Sequence, residues 1–203
     1  MVTSIAADFK YGSNLQLGEF VIIEPGVTVG NDVKIGHRVT LKSGTIIGSS
    51  SIVDDHCITT GACFIGNHVN IRTGAIISKA TIIEDYCFVG PGVITNHTKH
   101  INHGRVQQIP DIQLLTYIGY GSILGSQASI LAGIVMCPQT IVGGGTVVVK
   151  DILQKGVYVG CPAIKISELP IEYCMNEPEN AGRMYRMPQI LDHLKSYIPH
   201  LHT

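Results

Sequence analysis

Stepping six residues at a time from Ile5 lands on Ile5, Tyr11, Leu17, Ile23, Val29, Ile35, Leu41, Ile47, Val53, Thr59, Ile65, Ile71, Ile77, Ile83, Val89 and Thr95. These sixteen hexads run without a slip, and only the two threonines depart from an apolar or aromatic mark. Four residues after the mark stands a small or branched side chain, as at Val21, Val27, Val33, Val39, Thr45, Cys57, Cys63, Val69, Ala75, Cys87 and Val93. Glycine follows the mark directly at positions 12, 18, 30, 36, 48, 66 and 90. The phase is lost after Thr95 and returns on Ile118, Leu124, Ile130, Met136, Val142 and Val148.

An amphipathic helix repeats its apolar positions every 3.6 residues and a strand every 2. A period of six fits a short strand followed by a tight turn, repeated. Three such units close one coil of about 18 residues, and successive coils pair in parallel along an axis. The mark and the residue four later then point inward. The interior becomes stacked ladders, of which Leu17, Ile35, Val53, Ile71 and Val89 form one. The composition agrees: 29 Ile and 18 Val stand against 12 Leu, with no Trp, and branched side chains suit pleats better than helix surfaces. The 23 glycines are expected at the corners, where the chain must turn tightly.

Composition also removes several function classes. Lys and Arg number 14 against 15 Asp and Glu, for a net charge of −1, so no basic footprint for nucleic acid is present. No apolar run reaches the length of a membrane span, and the first residues lack the basic, apolar and small-residue order of a signal peptide. The six cysteines show no CxxC or zinc-ribbon spacing and are expected as free thiols in a reducing compartment, the cytoplasm by default. Cys57, Cys63 and Cys87 fall on inward positions and are expected in the core.

Residues 96–117 are the one long interruption of the ladder. They hold His97, His100 and His103 together with Asn96, Asn102, Lys99 and Arg105. A regular solenoid gains nothing from such an excursion unless it packs on something or makes a site. Histidines three apart suggest metal ligands, because imidazole suits zinc. They suggest equally a general base, because imidazole titrates near neutrality. No acidic or Cys ligand accompanies them, which favours the base. His37, His56 and His68 occupy turns or outward positions of ordinary hexads. After the interruption, Gly143, Gly144 and Gly145 either offer bare backbone to an amide-rich ligand arm or simply make a corner. No βαβ pattern surrounds them, so they are not a dinucleotide fingerprint.

Beyond Ile166 the rhythm ends. An irregular connection leads to residues 188–198, where Ile190, Leu191, Leu194, Tyr197 and Ile198 share one helical face behind Pro188. This helix is expected to cap the last coil or to pack on a neighbouring subunit. The expected organisation is a β-helix over 5–166, with the loop at 96–117, and a C-terminal extension over 167–203.

The hexads, the broken loop and the closing VGGGTVVVKDI and VYVGCPA stretches resemble the left-handed parallel β-helix acyltransferases, the hexapeptide-repeat family. The resemblance covers about residues 5–166 and supplies the left hand of the coil, which a period of six does not fix. IIEDYCFVGPGVITN is most similar to the branch that N-acetylates the amino group of nucleotide-linked amino sugars. Gly90, Pro91, Thr95 and Asn96 match that branch, whereas His97 stands where Asp is usual. The branch acting on sugar hydroxyls also carries a His in this loop. The resemblance implies a homotrimer, acetyl-CoA lying between adjacent prisms, and a small-molecule sugar acceptor near the loop. Gly125, Ala128 and Gly143 would then face the pantetheine arm, and Lys150 a phosphate. His97 would be the base, with His100 and His103 as alternatives, and Asn96 would orient the acceptor. The acceptor atom stays open between nitrogen and oxygen. The other readings are a non-enzymatic assembly domain and a β-helical zinc hydrolyase of the carbonic-anhydrase kind, whose usual His spacing is missing.

Overall fold

The structure, a computed structural model, describes residues 3–100, 112–179, 181–182 and 187–203. It is a β-solenoid with three parallel faces. The first face stacks eight strands from Ser4–Ile5 to Val147–Val148, and the second stacks seven from Lys10–Tyr11 to Val135–Met136. The third stacks nine from Gln16–Leu17 onward, ending with Gly156–Val159 and Ile164–Ser167, the latter antiparallel. The expected ladder is present: Leu17 pairs with Ile35, Ile35 with Val53, Val53 with Ile71 and Ile71 with Val89. It continues across the interruption through Leu124 and Val142.

Most strands are two residues long, so each coil is held chiefly by backbone bonds to the next. The inward side chains form one apolar column running from Val21 to Ile152. The two threonine marks do not violate it. Thr59 and Thr95 are buried, and their hydroxyls bond Thr45 at 2.7 Å and Thr81 at 3.0 Å, which satisfies groups that would otherwise be costly inside. Ile5, Tyr11 and Leu17, in the first described coil, remain exposed because no described coil covers their outer side.

Each corner has its own logic. The residue three past the mark adopts a left-handed conformation, as at Asp32, Ser50, His56, His68, Gly74 and Gly92. The glycines directly after the mark do something else. They carry no positive φ, and a Cβ on Gly48 would stand 2.6 Å from the carbonyl carbon of Gly66 in the next coil. Their role is close coil stacking. At the corner between the second and third faces a polar ladder climbs the prism. The backbone N–H of Ser13 donates to Asn31, that of Asn31 to Ser49, that of Ser49 to Asn67 and that of Asn67 to Asp85. His37 belongs to a similar ladder one corner on, its Nδ1 accepting from the N–H of Glu19 at 2.9 Å.

The corner between the first and second faces carries small residues, Gly26, Gly44, Ala62 and Ala80, one coil apart. Helix α1, Pro188–Tyr197, lies there. Ile190, Leu194 and Ile198 pack on Ala62, Ala80, Ile82, Leu115 and Tyr117. Tyr197 covers Gly26 and Gly44, and His193 Nε2 is 2.8 Å from the Gly44 carbonyl oxygen. The apolar face of α1 is as expected, but its seat differs from the expected cap: it flanks the chain's own middle coils. A neighbouring corner holds the connection to the helix. There Gln139 exchanges hydrogen bonds with the backbone of Met175, and buried Glu84 accepts from the N–H groups of Tyr120 and Gly182.

Candidate functional site

The excursion leaves the first face after Thr95 and rejoins the second as strand Thr116–Ile118, paired to Thr81–Ile83. Thr116 and Tyr117, expected in the loop, therefore already belong to the ladder, because they continue the outward and inward alternation of the strand below. At the excursion's base Thr98 bridges Gln113 in antiparallel fashion, and the N–H of Leu114 donates to the carbonyl of His97 at 2.8 Å. Gln113–Leu114 pairs in parallel with the C-terminal strand Leu201–His202.

Between this base and the resumed coils lies an open groove of about 680 Å³. Asn96, Thr98, Lys99 and Leu114 line one side; residues 131–134 and 149–151 line the other. Asn96 is anchored twice, its backbone N–H and its Nδ2 both donating to the carbonyl of Ile130 at 2.9 and 3.1 Å. Its own carbonyl accepts from Thr116 at 2.9 Å. Such a doubly held amide is pre-oriented toward whatever occupies the groove. Lys99 and Lys150 are exposed on the groove walls, while the Asp151 carboxylate is engaged by the N–H of Val135 at 2.9 Å. The groove thus presents two exposed cations beside a fixed amide.

The structure brings Asn96 and Lys150, predicted from opposite sides of the interruption, to this one groove. His97 is half-buried and His100 exposed, and neither is among the residues that line the groove. His103 lies outside the described residues. Gly125 and Gly143 sit elsewhere, on the third face. Their N–H groups donate to Val142 and Tyr158, and a Cβ on Gly125 would stand 2.5 Å from the nitrogen of Gly144. These glycines serve coil stacking within the chain. Ala128 is a correction: it is fully buried, its N–H bonded to Gly125 and its carbonyl to Ile94, so no ligand reaches it. Its position four past the mark points inward like the others. Lys99, Thr98 and Leu114 were missed as groove residues, because only the folded base of the excursion sets them against residues 131–134. Lys99 alone carried a signal, as a cation within the polar run.

The buried thiols are poor nucleophiles. Burial pushes Cys57 up to about 11 and Cys63 up to about 12, and it raises Cys87 and Cys137 as well. Among the described residues no three His, Cys, Asp or Glu side chains gather as a metal site. No helix among them is long and apolar enough to cross a membrane.

No family model matches the chain. The bifunctional protein GlmU of Synechococcus sp. is 27% identical over 160 residues, which are 79% of this chain and 29% of that protein. GlmU of Acinetobacter baumannii is 28% identical over 147 residues, 72% of this chain and 26% of its own length. The chain therefore spans under a third of these curated relatives. Among solved structures, the polysialic-acid-specific acetyltransferase NeuO superposes with a TM-score of 0.60 at 14% identity, covering 96% of this chain and 91% of its own. A variant of AntD, an N-acyltransferase from Bacillus cereus in complex with dTDP and coenzyme A, gives 0.54 at 17% identity, covering 80% and 85%. The likeness establishes a shared fold, the hexapeptide-repeat β-solenoid.

Proposed function

We propose that the chain is a coenzyme-A-dependent acyltransferase of the hexapeptide-repeat kind, moving an acetyl group from acetyl-CoA to the amino group of a nucleotide-linked amino sugar. The observation that carries this reading is the groove. The described base of the excursion, residues 96–100 and 112–115, lies beside the resumed coils, and the groove between them holds an anchored Asn96 together with Lys99 and Lys150. Two cations suit the phosphates that both a nucleotide sugar and coenzyme A carry. The acetyltransferase NeuO and the N-acyltransferase AntD, which share this fold, agree in class with the reading.

In this reading Asn96 orients the acceptor and His97 takes its proton. The acceptor nitrogen attacks the thioester carbonyl, the C–N bond forms, the C–S bond breaks, and the proton passes from His97 to the departing thiolate. No cysteine is among the described residues lining the groove, so the transfer in this reading is direct, without an acyl-enzyme. The assembly is a homotrimer, with acetyl-CoA lying between neighbours and Lys150 toward a phosphate.

The test is acetyl transfer followed by mass spectrometry, with nucleotide-linked amino sugars and their hydroxyl counterparts offered in parallel. An acetylated amine is the expected product. An acetylated hydroxyl would move the enzyme to the O-transferring branch, and no transfer to either would overturn the reading. His97→Ala is expected to lower kcat about 10²–10⁴-fold with the fold unchanged by circular dichroism. His100→Ala and His103→Ala should stay within about threefold of the parent, on the scale where a general base is worth far more.

A further inference from the structure

The groove and helix α1 share one corner of the prism, and a continuous run of contacts joins them. The small residues Gly26, Gly44, Ala62 and Ala80 seat the helix, and the next positions up that corner are Thr98 in the excursion and then Gly133 and Asp151 in the groove wall. From the helix the chain passes directly into Leu201–His202. There it pairs with Gln113–Leu114, and the N–H of Leu115 donates to the carbonyl of His202 at 3.0 Å. Gln113–Leu114 in turn holds residues 97 and 98 through the Thr98–Gln113 bridge and the Leu114 to His97 hydrogen bond. The Leu114 side chain lies against Gly133, where a Cβ would meet its Cδ1 at 3.1 Å.

This arrangement is a two-stranded ribbon of Gln113–Leu114 and Leu201–His202, extended on the far edge of Gln113–Leu114 by the isolated Thr98 bridge and the His97 carbonyl. Two-residue strands are too short to hold register alone. Residues 97 and 98 have no solenoid strand of their own, and their position depends on the strand beside them. That strand is clamped from outside by residues 201–202, and those are fixed by a helix with a fully buried Leu194.

We propose that the C-terminal strand Leu201–His202 is a positioning element of the acyl-transfer site, setting the backbone of His97 and Thr98 through Gln113–Leu114. The proposal rests on the function proposed above for its kinetic consequence, but not for its structural one. It assigns to the last residues of the chain a role in turnover, although none of them lines the groove. Because helix α1 anchors far down the prism, the site inherits the rigidity of middle coils that never contact substrate.

The test compares the full chain with a version ending at His200, which keeps α1 and its solenoid seat and removes Leu201, partly buried against the same cluster. Hydrogen exchange at the Leu114 and Leu115 amides is read first, since it needs no activity. The expected result is at least tenfold faster exchange at both, with the solenoid amides and the melting midpoint unchanged. Unchanged protection at Leu114 overturns the proposal. The kinetic arm reads kcat and KM separately: the shortened chain should lose at least tenfold in kcat, with KM for acetyl-CoA within about twofold. Unaltered kcat beside faster exchange would also overturn it. A parent chain that transfers no acetyl group sinks the functional reading alone, and the exchange arm still decides the structural claim. Leu201→Ile in the full chain should retain parental exchange and kcat, whereas Leu201→Asp should reproduce the truncation.

Discussion

Gly48 and Gly74 look alike in the sequence and do opposite things. A methyl group on Gly48 would stand 2.6 Å from the Gly66 carbonyl carbon, with an ordinary backbone around it; at Gly74 it would meet nothing within 4 Å, but φ is +72°. Gly48→Ala must push two coils apart, an overpacking cost of about 1–3 kcal/mol. Gly74→Ala meets only the left-handed backbone penalty, about 1–2 kcal/mol. The two separate on replacement by asparagine, which tolerates the left-handed region. Gly74→Asn should recover part of the loss seen with Ala, and Gly48→Asn should lower the denaturation midpoint beyond Gly48→Ala. A recovery at Gly48 would show that close stacking is not its role. The thiols give a second comparison at this scale. Burial holds Cys57, Cys63 and Cys87 as thiols far above neutral pH, whereas Cys161 and Cys174 are exposed. Brief alkylation of the native chain near pH 7.5 should therefore mark residues 161 and 174 and spare the other three, as peptide mass mapping will read.

Among the elements, the strands were legible because their marks repeat locally, and the register survived the interruption to within the ladder that resumes at Ile118. The seat of α1 was not legible. Gly26, Gly44, Ala62 and Ala80 stand one coil apart, so their joining into a groove exists only once the coils are stacked, and in the linear sequence they are four unrelated corner residues. The same holds for the candidate site. Asn96 was legible as a polar residue at the break and Lys150 only through the family resemblance, yet the partners that shape the groove, Thr98 and Leu114, take their positions from pairing across the excursion. Ala128, which the resemblance implied to face a ligand arm, is turned inward by its place in the hexad. Solenoid stability is a sum over neighbouring coils, and this separates the elements experimentally. Leu194→Ala removes the fully buried side chain of α1, a loss of about 2–5 kcal/mol confined to the helix and its seat. Exchange at residues 188–198 should accelerate while the amides of the third face keep their protection. A global loss of protection would mean that the helix supports the solenoid as a whole.

For the whole molecule, what matters is which faces remain open. The second face is closed by its own helix, with Ile82 and Tyr117 buried beneath it. The first face presents a stripe of outward side chains, Ile22, Ile58 and Ile94, each about two-fifths exposed, and the third adds Phe88. Aligned branched residues on a parallel sheet are poor solvent surface, and a second copy of the chain would cover them. The homotrimer proposed for this chain would use these two open faces in a heterologous ring, leaving the groove corner at the boundary between neighbours. The chain should then sediment at three times its 21.8 kDa mass. Ile58→Lys and Ile94→Lys together place two cations on the stripe without touching the inward ladder. The double variant should sediment as a monomer, with circular dichroism unchanged and acetyl transfer reduced at least tenfold. A parent chain that is already monomeric would leave the stripe to a different partner and remove the neighbour from the site. A variant that stays trimeric would move the interface to the third face, where Phe88→Lys is the next substitution to weigh.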